Sequence, residues 1–199
     1  MAEPTDKRLV NENAAASYSN LIGEERILAL EIRLSKFGFV VFDGPNEILD
    51  FKVRRYAGQG AHRRSILETR IRSLLDLYAP CTIVLRRRSS SSRHTREKLL
   101  SVVCTIRTIA RSRSTQLHVL DSRKVKSFFS EHRCTTKHEI ASLIANWFEQ
   151  LSWRLPPNRK VWQKEAYFMP IFDAAATGVV FFDEQGKWNG GVGCSGSQN

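Results

Sequence analysis

The sequence predicts an α/β fold in which a mixed five-stranded sheet lies between helices, and three observations carry that reading. From Ile27 to Tyr56 three apolar or β-branched stretches alternate with turn chemistry, the pattern of an antiparallel meander. Two short apolar runs further on, Cys81 to Leu85 and Gln116 to Leu120, each follow a stretch with helical periodicity. Strand, helix, strand in that order favours parallel pairing. The helical stretches carry their apolar residues along one face, as helices that cover a sheet do.

The first strand, Ile27 to Arg33, is apolar with one acid, Glu31, in its middle. A long apolar strand belongs inside a sheet with both faces covered. A carboxylate there costs several kcal/mol unless it is paired, hydrogen-bonded or holds a cation. The second strand, Phe37 to Phe42, ends at Asp43-Gly44-Pro45-Asn46, and the third spans Ile48 to Arg54. After a glycine break, Ile66, Leu67, Ile71, Leu74, Leu75 and Tyr78 mark a helix that stops at Ala79-Pro80. The fourth strand is Cys81 to Leu85. Thr95 is the expected cap of the next helix, whose apolar positions include Leu99, Leu100, Val103, Ile106 and Ile109 and whose outer face is basic. Gln116 to Leu120 is the fifth strand. Thr136-Lys137-His138-Glu139 is a capping box that opens a helix with Ile140, Leu143, Ile144, Trp147, Phe148 and Leu151 on one side. Trp153 to Tyr167 reads as a connection. Pro170 then starts a final helix in which Ala174, Ala175 and Ala176 permit close packing on the sheet. Residues 1–22 are expected to form a disordered arm and the glycine-rich stretch 183–199 a disordered tail, around one domain at 23–182.

A length of 199 residues, 42% of them apolar, is enough for one domain with a full core. The net charge of +11 favours a polyanionic partner, nucleic acid ahead of an anionic membrane surface. Cysteines 81, 104, 134 and 194 have no zinc spacing and read as reduced, mostly buried thiols. The five histidines form no metal spacing, and no G-x-S-x-G nucleophile elbow occurs. No leader-like run follows Lys7 and Arg8, and no stretch reaches the ~18 apolar residues of a membrane helix. The expectation is a soluble, cytoplasmic protein.

The order of elements, with Glu31 on the first strand, Gly38 in the second, Leu120-Asp121-Ser122-Arg123-Lys124-Val125-Lys126 after the fifth, and Asp173-Ala174-Ala175-Ala176 on the last helix, resembles the ribonuclease-H-like superfamily. Within it the chain is most similar to RuvC-type Holliday-junction resolvases, across residues 26–182. The resemblance implies a sheet of three antiparallel strands followed by two parallel ones. It also implies a structure-selective endonuclease acting on branched DNA, often as a homodimer. In that family carboxylates of the first strand, the fourth strand and the last helix hold two Mg²⁺ or Mn²⁺ ions that activate water and stabilise the leaving oxygen. Glu31 and Asp173 then become the candidate catalytic and metal-ligating residues. Two departures accompany them. The fourth strand ends in Arg86-Arg87-Arg88 where the family has an acid, and Pro170 stands where a second helix aspartate is common. Glu165, Asp121 and Asp43 are the acids left to complete a metal site, and Arg86 is a candidate partner for Glu31 in its place.

The candidate nucleic-acid contacts are Arg86, Arg87, Arg88, Arg93, Lys98 and Lys126, with Arg54, Arg55, Arg63 and Arg64 extending the same surface. Their setting at the C-terminal end of a strand is where sheets of this kind place ligands. Trp153, Trp162, Tyr167 and Phe168 lie among basic residues, either to stack on unpaired bases or to close a core. Three functions remain in view: a metal-dependent nuclease, a binding module with arginines in place of ligands, and a scaffold protein on the same architecture.

Overall fold

The computed structural model describes residues 26–190, apart from 57, 59, 88–91, 160, 161, 163 and 164. The expected arm and most of the expected tail therefore lie outside the described residues. So does Arg88. Strands β1 (Arg26–Ile32), β2 (Lys36–Asp43) and β3 (Ile48–Arg55) form the antiparallel meander, then α1 (Gly60–Tyr78), β4 (Thr82–Arg87), α2 (Arg93–Ser112) and β5 (Gln116–Asp121) follow. Helices α3 (Ser122–Glu131) and α4 (Lys137–Trp147), a 3₁₀ turn at Glu149–Arg154 and α5 (Met169–Glu184) complete the fold.

The sheet order is β3-β2-β1-β4-β5, so β1 occupies the centre. It pairs antiparallel with β2 and parallel with β4, and β4 pairs parallel with β5. Alternation along β1 divides the core in two. Ile27 and Ala29 face α3, α4 and α5, together with Val40, Phe42 and Phe148, whereas Leu28 and Leu30 join Phe37, Phe39, Leu67 and Ile106 under α1 and α2. Both faces of β1 are thus covered, and every residue from Ile27 to Ile32 is buried.

Local chemistry explains the ends of the elements and the differences from expectation. The capping box of α4 forms as expected, with Thr136 accepting from the Glu139 amide and Glu139 accepting from the Thr136 amide. Helix α2 begins earlier than Thr95, because Ser92 takes the cap position and its hydroxyl accepts from the Thr95 amide. Helix α3 has no counterpart among the expected elements. Only Val125, Phe128 and Phe129 of its ten residues are buried, too few to show a period, while Asp121 caps it through the Arg123 amide. The helix through Ile144 stops at Trp147, and Leu151 belongs to the 3₁₀ turn that follows. Helix α5 carries on to Glu184, so Asp183 and Glu184 are helical and not part of a tail. Among the described residues, no helix is long and apolar enough to cross a membrane.

Candidate functional site

Glu31 and Asp173 meet at the C-terminal end of the central strands, and a glycine makes the meeting possible. Glu31 sits opposite Gly38 in the β1–β2 register. A Cβ at Gly38 would lie 2.3 Å from the Pro170 carbonyl oxygen and 2.7 Å from the Pro170 side chain. The start of α5 therefore rests directly on β2. One helical turn beyond Pro170, Asp173 reaches the sheet beside Glu31. Ala174, Ala175 and Ala176 are all buried, which is the close packing expected of them.

The two carboxylates do not face each other across open space. Arg33 Nη1 lies 2.9 Å from Glu31 Oε1, and Arg33 also bonds Asp173. Arg86 Nη2 lies 3.0 Å from Glu31 Oε2 and 3.1 Å from Asp173 Oδ1. Each guanidinium thus bridges both acids. At the rim, Glu165 Oε2 is 3.4 Å from Arg33, Lys137 Nζ is 2.5 Å from Glu165, and Lys137 is 3.6 Å from Asp173. Three acids and three bases close into one neutral set that ties β1, β4, α4, α5 and the segment before α5.

Burial grades the members of this set. Glu31 is wholly buried and the Asp173 side chain is 7% exposed, against 28% for Glu165 and 44% for Lys137. Burial pushes the Glu31 carboxyl up from its ordinary value; Arg86 pulls it back, Asp173 pushes it further up and Arg33 pulls down, for a net rise. Burial works against the Arg86 charge, yet Glu31 and Asp173 outweigh it and hold the guanidinium more firmly protonated than usual. The pairing of Arg86 with Glu31, one of the alternatives the sequence leaves open, is the arrangement found. Arg33 and Lys137 join the centre without having been candidates from the sequence.

These residues do not fit a divalent cation. A hard cation needs several oxygen ligands, and the inner oxygens of Glu31 and Asp173 already face guanidinium groups. The end of β4 contributes the positive Arg86 where the resemblance implies an acid. Among the described residues, no three His, Cys, Asp or Glu side chains are grouped so as to hold a metal ion. Of the spare acids, Glu165 stands at the rim, Asp121 is spent on Arg87 at 2.7 Å and on the α3 cap, and Asp43 is paired with Arg26 at 3.0 Å. The Arg123 amide and Arg87 hold the Asp121 carboxyl down to about 2.

The basic candidates gather at the same end of the sheet, with different roles. Arg86 is committed to the buried set. Arg87 and Lys126 line a groove of about 880 Å³ between α2, β5 and α3, and Arg96, Arg107, Arg123 and Lys124 line it with them. Arg63, Arg64 and Lys98 line a second groove of about 510 Å³ between α1 and α2. Arg93 is exposed and pairs with Glu97 at 2.9 Å. Arg54 and Arg55 end β3, with the Arg55 guanidinium 5.5 Å from the Tyr167 ring centre. Trp153 and Trp162 do not close a core, being 67% and 78% exposed, and Arg154 stacks 3.7 Å above Trp153. Where mostly buried thiols were expected, Cys104 is exposed and Cys81 and Cys134 are only half-buried.

No family model and no curated protein matches the chain. Solved structures do. RuvC of T. thermophilus, in a structure with a Holliday junction substrate, matches with a TM-score of 0.60 at 12% identity, over 81% of this chain and 97% of that one. The yeast mitochondrial Holliday junction resolvase matches with a TM-score of 0.59 at 12% identity, over 84% of this chain and 83% of that one. The strand order and mixed pairing described above are those the resemblance implies. The chain therefore has the ribonuclease-H-like fold of the RuvC type.

Proposed function

We propose that this protein binds branched DNA, a four-way junction above all, and that its Glu31–Asp173 centre is a structural ion cluster and not a metal-dependent nuclease. The observation that carries the reading is the pair of guanidinium groups between the two acids. They occupy the space in which cations would have to sit. Binding is supported by the basic grooves at the same end of the sheet and by the fold shared with a RuvC that was solved with a junction substrate. Arg54, Arg55, Arg63, Arg64, Arg87, Arg93, Lys98 and Lys126 are the residues we assign to the DNA backbone. Arg88 belongs with them by sequence, whereas Arg86 does not, because, unlike the exposed Arg87 and Arg93, its guanidinium is largely buried between Glu31 and Asp173.

The test is fluorescence anisotropy with a four-way junction and a linear duplex of equal length, as a function of salt. We expect the junction to bind more tightly and the affinity to fall linearly on a log–log scale with salt. Replacing Arg87 and Lys126 with glutamine flattens that slope by about 0.9 for each phosphate that is no longer neutralised. Equal affinity for both DNAs, or no binding at low salt, would contradict the proposal. The nuclease reading retains one observation in its favour, the convergence of Glu31 and Asp173, and cleavage of a junction in Mn²⁺ separates it from the first.

A further inference from the structure

Alternation along the edge strand β3 sends Phe51, Val53 and Arg55 to the face that α5 covers. Val53 is buried there, whereas Phe51 and Arg55 meet the chain that runs from the 3₁₀ turn to α5. The Phe51 and Trp153 ring centres are 6.4 Å apart at 61°, and the Arg55 guanidinium is 5.5 Å from the Tyr167 ring centre. Lys36, opposite Arg55 in the β2–β3 register, lies 4.8 Å from the same ring and donates to the Tyr167 carbonyl oxygen at 3.2 Å. Arg154 sits between two more rings, 3.7 Å over Trp153 and 4.2 Å over Phe168, and Phe168 meets Tyr167 edge-on at 5.1 Å. Rings and cations are thus interleaved in one ribbon that ends at Phe168, the cap residue of the helix that carries Asp173. Large rings are ordinarily turned inward, yet Trp153 is 67% exposed and Tyr167 40%. Among the described residues, none of Lys36, Arg55 and Arg154 is in an ion pair, so the ribbon keeps its positive charge.

We propose that this ribbon is a stacking platform for unpaired bases of a DNA strand, with the open face of Trp153 taking a base while Arg55 and Lys36 hold the phosphates beside it. The inference rests on the DNA-binding reading above and adds a substrate class to it, branched DNA that carries a single-stranded segment. Every base has a flat π face, so an aromatic shelf among cations suits any unpaired base, and a duplex hides those faces in its own stack. The Arg154 guanidinium holds the indole from one side, so the ring is set in place before a base arrives and little side-chain freedom is lost on binding. A protein partner would have to bring carboxylates to three cations that already rest on rings. A nucleic-acid strand brings a phosphate with every base.

The test uses the full chain and two four-way junctions, one fully paired and one with a tail of about eight unpaired thymidines on one arm, a length that aromatic and basic strand-binding surfaces engage. Anisotropy over a range of salt should show the tailed junction binding more tightly than the paired one. Trp153→Leu should lower affinity for the tailed junction about tenfold, leave the paired junction unchanged and leave the salt slope as it was, because a base contact and no phosphate contact is lost. Arg55→Gln should instead flatten the slope for the tailed junction by about 0.7. The tail should also quench tryptophan emission of the native chain. Trp153→Phe, which keeps a ring in place, should lose most of that quenching while keeping most of the affinity, and it carries the test should the leucine variant not fold. A gain from the tail that survives Trp153→Leu, an equal loss on both junctions, or quenching unchanged in Trp153→Phe overturns the platform. Salt-dependent binding of the paired junction with no gain from the tail overturns it too, while leaving the DNA-binding reading intact; failure of both DNAs to bind ends both. Quenching that grows with protein concentration in the absence of DNA would assign the ribbon to a second copy of the chain and likewise overturn the proposal.

Discussion

At the scale of single residues, Arg86 decides what the centre is. Removing it as Arg86→Met leaves Glu31 and Asp173 buried beside each other with one guanidinium fewer, and breaking a buried pair in this way costs about 3–5 kcal/mol. Urea unfolding at neutral pH measures the loss. Its pH dependence has a definite sign. The folded-state pKa of Glu31 is already raised by burial, and loss of Arg86 raises it further. A carboxyl raised in the folded state favours folding when protonated, so its contribution is present below the ordinary value of 4.5 and is lost as pH rises through the raised one. The deficit of the variant should therefore shrink as pH falls. Lys137→Met, at the exposed rim, should cost less than about 1 kcal/mol. Half of this centre is legible in the sequence. Glu31 stands out as an acid in an apolar strand, and Arg86 is the nearest cation to a strand end. Arg33 lies two residues beyond Glu31, the strand spacing that puts side chains on one face, so the sequence does hold a signal for it. Lys137 reads as part of a capping box, and only the packing of α4 beside α5 brings it to Asp173.

At the scale of elements, the contact between β2 and α5 sets the site. Gly38→Ala puts a methyl group against Pro170 backbone that cannot turn aside. Overpacking of this kind costs about 1–3 kcal/mol, and it should lift the first turn of α5 and separate Asp173 from Glu31. A crystal structure of the variant would show the separation, and an unchanged α5 with unchanged unfolding midpoint would refute this role for the glycine. The capping box of α4 gives a second prediction. Backbone amides of Thr136 and Thr135 hold Glu139 below its ordinary pKa, so its contribution is present above 4.5 and fades as pH falls through the lowered value. Thr136→Ala should cost about 0.5–2 kcal/mol near neutral pH in thermal unfolding. Long periodic elements and strong caps can be read from the sequence. The short helix α3 cannot, because ten residues with three buried positions carry no measurable period and the chain around them is basic. Ser92 displaces Thr95 as a cap because a polar run offers several hydroxyls and the sequence does not rank them.

At the scale of the whole molecule, the +11 charge is distributed with purpose. Cations that meet acids are drawn into the core beside β1, and others line the two grooves at one end of the sheet. The overall fold follows from element order and is matched by solved structures at about one residue in eight identical, so fold here outlasts sequence. The centre diverges from the resemblance where an arginine replaces an acid. The central claim is that guanidinium groups stand where divalent cations would bind. Its most direct measurement is incubation of the purified protein with a labelled four-way junction in Mn²⁺ and, separately, in EDTA at equal ionic strength, reading binding and strand cleavage in the same samples. The account predicts equal affinity in both and no cleavage in either. Cleavage that requires Mn²⁺ and disappears in Glu31→Gln would contradict it.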